Sequence, residues 1–180
     1  MRIRPLPILA AIFLAGCQSE RIDEKLELET VEYAIAQMSD KAGQTLGTVT
    51  LKSESGLVVL AVELRGVAPG DKAFHLHTTG LCEAPGFTSA GGHLNPAGNT
   101  HGSLSIGGKH LGDLPNLEIG ESGTVLTRIG IDRSRDEILK AMRDSDGTAV
   151  VMHAGPDDYV SDPAGAAGPR IACGVFEFST

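Results

Sequence analysis

The chain has 180 residues, 41% hydrophobic and 21% charged, a size and balance that fit one globular domain with short appendages. Aromatics make up 4%, tryptophan is absent and glycine reaches 23 residues, which argues against a helical bundle or a base-stacking surface and for strands joined by tight turns. A formal charge of −8 with no basic cluster argues against a phosphate-binding face, so no nucleic-acid partner is expected.

Met1-Arg2-Ile3-Arg4 is a short basic start, and Ile8 to Ala15 is an apolar run far shorter than the roughly 20 residues of a membrane-spanning helix. It reads as a signal peptide. Leu14-Ala15-Gly16-Cys17 resembles the lipobox of bacterial lipoproteins, whose Cys is lipidated and becomes the new N-terminus. Residues 1–16 are therefore expected to be a lipoprotein signal peptide and Cys17 the lipid-bearing residue, with an ordinary secretory signal or an uncleaved anchor as the alternatives. Loss of Arg2 and Arg4 takes the charge to −10. Export places Cys82 and Cys173 in an oxidising compartment where they can pair. Residues 17–30 carry seven charged residues and read as a solvated tether, or as a short helix opening at Ser19 with Ile22 and Leu26 on one face.

From residue 31 to 180 the pattern is that of a single body of strands. Val49 and Leu51 alternate with Thr48, Thr50 and Lys52, and Leu57 to Leu64 is a β-branched run; Ser53-Glu54-Ser55-Gly56 between them predicts a hairpin. Further strands are predicted over 73–77, 123–129, 149–153 and 170–176. Residues 78–122 are rich in Gly, Pro, Asn and Ser and form one long loop, the kind that is functional in a compact domain. Ser134 ahead of Asp136, Glu137, Ile138, Leu139 and Met142 predicts one short capped helix. The fold class is all-β, an antiparallel sandwich or barrel.

The six histidines are the informative residues. His75 and His77 stand at strand period, so both project from one face while Phe74 and Leu76 point to the other, toward the core. Two imidazoles on a rigid strand are half of a metal site, although an isolated His-x-His is more often chance. His93, His101, His110 and Asp113 follow at intervals of 8, 9 and 3, a closed three-imidazole, one-carboxylate set suited to zinc, whose closure would order a segment too glycine-rich to pack alone. Any one of these taken singly is better read as a solvated loop residue. His153 ends an apolar strand and, alone, is better read as a satisfied core or edge histidine.

Taken together, the segments 73–77, 89–102, 110–115, 152–155 and 170–175 resemble the copper/zinc superoxide dismutases, particularly their exported bacterial branch. All six histidines fall on that family's ligand positions, in order. The resemblance implies an eight-stranded Greek-key β-barrel, an immunoglobulin-like sandwich or barrel, with long metal-binding and electrostatic loops outside it. It implies copper at His75, His77, His93 and His153, zinc at His93, His101, His110 and Asp113, and His93 serving both metals and taking up a proton in the cycle. Asp157 matches the carboxylate that links a copper-ligand histidine to a zinc-ligand one. Arg170 matches the arginine that guides and holds the superoxide anion. Cys82 and Cys173 match the intrasubunit disulfide.

Several departures bear on this resemblance. Pro169 precedes Arg170, and Ala166-Ala167 stand where relatives commonly have a glycine run, which puts the orientation of Arg170 in question. Residues 159–169 hold no Lys or Arg, so attraction of an anion falls to copper, Arg170 and Lys72 or Lys109. The expected partners are superoxide and, through lipid on Cys17, the membrane of a bacterial envelope, the protein facing the periplasm from the outer membrane as a monomer or homodimer. The competing function is a non-catalytic, lipid-anchored copper/zinc store, which needs neither Arg170 nor Asp157.

Overall fold

The computed structural model describes residues 30–179, so the signal peptide, Cys17 and all but the last residue of the tether lie outside the described residues. The chain runs β1 (Thr30–Asp40), β2 (Thr45–Glu54), β3 (Leu57–Leu64), β4 (Gly70–Lys72), β5 (Phe74–His77), β6 (Leu117–Ile119), β7 (Val125–Gly130), α1 (Arg135–Met142), β8 (Ala149–His153) and β9 (Arg170–Phe178). The predicted hairpin is tighter than expected. Its strands continue through Ser53 and Glu54, leaving Ser55 and Gly56 as a two-residue turn with φ of 52° and 80°. Two successive left-handed residues match the right-handed twist of the flanking strands, and glycine takes one of them at no steric cost.

Seven strands form one antiparallel sheet in the order β5-β8-β9-β1-β2-β3-β7, and β4 pairs with β6 in a separate ribbon. Only Ala73 separates β4 from β5, so 70–77 is a single extended stretch that leaves one sheet for the other. Counted that way, the nine strand segments among the described residues are eight strands. Leu117 and Ile119 of β6 share one buried cluster with Leu51, Leu60, Phe74, Met152 and Phe176 of the large sheet, so the sheet curls around a common interior. The connections from β3 through β4 to β5, and from β7 to β8, each pass over the four strands that lie between them in the order, the Greek-key pattern.

α1 is fixed by a reciprocal cap. The Ser134 hydroxyl accepts from Glu137 N–H, the Glu137 carboxylate accepts from Ser134 N–H, and Ile138 and Met142 face the core. Cys82 and Cys173 form a disulfide that ties the loop after β5 to β9 across 91 residues, worth on the order of 4 kcal/mol by loop-closure entropy. Phe87, Ala90, Ala149, Val151 and Cys173 pack as a second small cluster, laying that loop on the outer face of the sheet.

Candidate metal centre

His75 and His77 point out of the barrel, as their alternation with the core residues Phe74 and Leu76 requires, yet both are fully buried because loops cover that face. The covering loop docks on β5 by main-chain hydrogen bonds: Leu94 N–H to Leu76 O (2.8 Å), Leu76 N–H to Gly112 O (3.0 Å) and Thr78 N–H to Gly92 O (3.0 Å). His93 and Asp113 are thereby set opposite His77 and His75. A side chain at Gly112 would strike the Leu76 carbonyl, so close approach of the two backbones needs glycine there.

The first group converges on one carboxylate. Asp113 Oδ1 lies 2.8 Å from His93 Nδ1, 3.0 Å from His101 Nδ1 and 3.2 Å from His110 Nδ1, while Oδ2 accepts from the N–H groups of Gly102 and His110. Burial pushes the Asp113 carboxyl up, but the hydrogen bonds from His93 and these two amides outweigh it and hold it well below its ordinary range. Three ring nitrogens and one oxygen, all buried, are the donor set of a closed tetrahedral zinc site.

The second group is defined by atoms without partners. His75 Nδ1, His77 Nε2, His93 Nε2 and His153 Nε2 are buried and lack any hydrogen bond. Each of these histidines uses its other nitrogen on the protein: His77 Nδ1 on Gly91 O (3.0 Å), His153 Nδ1 on Gly168 O (3.0 Å), His75 Nε2 on Asp157 Oδ2 (2.8 Å) and His93 Nδ1 on Asp113. A carbonyl can only accept, so His77 and His153 carry their protons on Nδ1 and present Nε2 lone pairs to a common point. Four buried, unpartnered imidazole nitrogens within 4.8 Å of one another carry a desolvation penalty that a soft or borderline cation such as copper would remove. His93 belongs to both groups and faces one with each nitrogen.

Asp157 joins the groups a second time, since Oδ1 lies 2.9 Å from His101 Nε2 and Oδ2 contacts His75. A side chain at Gly165, which has φ +65°, would overlap that Oδ1. Arg170 donates from both terminal nitrogens, to Phe87 O and Gly91 O at 2.6 Å each. The Gly91 carbonyl therefore serves both Arg170 and His77. Pro169 leaves this geometry intact because it sits ahead of β9, where no ladder N–H is required, and its own carbonyl accepts from Ala154 N–H. Lys72 Nζ donates to Pro69 O and Lys109 Nζ to Asp113 O, so both are tied by hydrogen bonds of their own. The sequence reading missed Asn116, Tyr159 and Gly165, which hold Asp157.

Burial, reinforced by His93, pushes His75 down to about 3 and His77 to about 2, and burial likewise lowers His153. In the unfolded chain the same imidazoles take up protons below about 6.5. The stability they contribute is present above that pH and is lost as pH falls toward the folded values, because the unfolded state then binds more protons. The metal-free protein is expected to show a falling thermal midpoint from pH 6.5 to 4, and the metal-loaded protein a fall at least as steep, because unfolding frees the same imidazoles to take up protons. A midpoint of the metal-free protein that does not change over this range would contradict this account.

The chain matches the family described as copper/zinc superoxide dismutase over residues 45–176. It is 41% identical over 147 residues to superoxide dismutase [Cu-Zn] 2 of Aquifex aeolicus, covering 79% of this chain and 85% of the relative. It is 32% identical to superoxide dismutase [Cu-Zn] of Escherichia coli K12, covering 96% and 97%. Among solved structures, a superoxide dismutase-like protein from Bacillus subtilis superposes with TM-score 0.74 at 34% identity, over 81% of this chain and 99% of that one. The Cu/Zn superoxide dismutase from Brucella abortus superposes with TM-score 0.65 at 28% identity, over 83% and 100%. The matched span contains every residue of both histidine groups together with Asp157 and Arg170, and the chain belongs to the copper/zinc superoxide dismutase family.

Proposed function

We propose that His75, His77, His93 and His153 hold copper, that His93, His101, His110 and Asp113 hold zinc, and that together they carry out superoxide dismutation. Two superoxide anions and two protons give one oxygen and one hydrogen peroxide. Copper supplies the one-electron chemistry, and zinc supplies fixed charge and geometry. The observation that carries the reading is the set of four unpartnered ring nitrogens on the copper side, with the Arg170 guanidinium anchored on the Gly91 carbonyl that also fixes His77.

The residues divide the work. Gly91 O and Gly168 O fix the tautomers of His77 and His153, and Asp157 fixes those of His75 and His101. Arg170, half-buried and held by two carbonyls, attracts and orients the anion without needing to reorganise. His93 Nε2 takes up a proton in one half of the cycle and releases it in the other. Arg170 and Asp157 favour this over a metal store, because storage needs neither an anion guide nor a link between sites.

The Cys82–Cys173 disulfide and the basic-apolar N-terminus support export to the bacterial envelope, with lipid on Cys17 and residues 17–30 tethering the domain of 31–180, facing the periplasm from the outer membrane. Metal analysis of the disulfide-intact protein beside a dismutation assay tests the function. One copper and one zinc per chain with turnover is expected. Full loading without turnover would establish the store instead. Substituting Cys17→Ser is expected to release the protein from membranes.

A further inference from the structure

Asp157 is buried, and the carboxylate that joins His75 to His101 is only as well placed as its backbone. That backbone is gripped from both sides by one side chain. Asn116 Oδ1 accepts from Asp157 N–H at 2.8 Å, and Asn116 Nδ2 donates to Asp157 O at 3.0 Å. Asn116 is itself pinned, because its N–H donates to the Tyr159 hydroxyl at 2.9 Å. Tyr159 closes the circuit. It holds a left-handed φ of 63°, its N–H donates to Asp157 Oδ1 at 2.7 Å, and its carbonyl accepts from Leu104 N–H at 3.1 Å.

We propose that Asn116 and Tyr159 are positioning residues, a clasp that sets the Asp157 carboxylate between His75 and His101 and so couples the two metal groups. Asn116 lies three residues after Asp113, so one short segment carries both a member of the zinc group and the grip on the carboxylate that orients His101. The left-handed Tyr159 is strained for a non-glycine residue, and it is held there by three hydrogen bonds that all end on the two loops covering the site. An amide is required at 116 because the two bonds need an acceptor and a donor side by side. Aspartate has the same shape but only acceptors.

The inference rests on the metal assignment above, and the test separates the two. Zinc affinity of the disulfide-intact protein is measured by chelator competition for the unchanged chain, Asn116→Asp, Asp157→Asn and the double variant. Asn116→Asp is expected to weaken zinc binding about ten- to a hundredfold, the scale for groups that orient a ligand. Added to Asp157→Asn it is expected to cost nothing more, since the clasp acts only through that carboxylate. Unchanged affinity, or losses that multiply in the double variant, would overturn the clasp and leave the metal assignment standing. An unchanged chain that takes up no zinc would overturn both. Should Asn116→Asp fail to fold, Tyr159→Phe serves in its place, with a smaller loss expected that again vanishes beside Asp157→Asn.

Discussion

Replacing His93 with alanine is expected to reduce dismutation to background and to lower the content of both metals. His93 is the one histidine with a nitrogen in each group: Nδ1 lies 2.8 Å from Asp113 Oδ1 and 3.4 Å from His110 Nδ1, while Nε2 faces the unpartnered nitrogens of His75, His77 and His153. Its loss leaves three ligands on each side and opens a void between two sets of buried polar atoms, which the docking of Leu94 and Gly112 on β5 prevents from collapsing. The control is His110→Ala. It removes a member of the zinc group alone, so zinc content is expected to fall while copper is retained with part of the activity. Metal per chain and the rate of superoxide decay are measured on both. A His93→Ala protein that kept both metals and turned over would overturn the shared role.

How much of this was legible in the sequence depended on whether each element was held by its own residues or by its neighbours. β3 and β8 are apolar runs and α1 carries its cap in Ser134 and Glu137, so periodicity and local chemistry located them. β1 was not singled out because a register shift between Glu32 and Ala34 breaks its alternation in phase, and its buried side chains include the small Ala34 and Ala36. β4 and β6 are three residues each, too short for any period to show, and form because their main chains pair. Within the site, ligand-type residues at strand period and in one glycine-rich loop were visible, their spacing marked out the zinc set, and the family resemblance added the copper set and gave His93 to both. The supporting contacts left no comparable signal. Asn116 and Tyr159 are ordinary loop residues until residues 157 and 116 are brought together across 41 positions of chain. The carbonyls of Gly91 and Gly168 act through backbone atoms, which carry no residue identity.

Arg170→Ala is expected to lower the dismutation rate constant by at least about tenfold, the lower end of what charge focusing contributes to capture of a charged substrate, with copper and zinc content unchanged. The argument starts from an overall charge that repels the substrate: the chain carries −8, and −10 without Arg2 and Arg4, while residues 159–169 beside the site hold no Lys or Arg. What distinguishes Arg170 from Lys72 and Lys109 is where it is anchored: its carbonyl partners, Phe87 O and Gly91 O, lie in the loop over the copper group and Gly91 O also holds His77, whereas the lysines are anchored on Pro69 O and Asp113 O. Arg170→Lys keeps the charge but cannot reproduce a two-nitrogen fork on two carbonyls, so it is expected to recover only part of the loss. With one local cation set against a general negative field, the unchanged protein is expected to show a modest dependence on ionic strength, and Arg170→Ala a weaker one. Rates measured from low to physiological salt for all three proteins decide the matter. A steep fall for the unchanged protein, or full activity in Arg170→Ala, would move anion capture to another part of the surface.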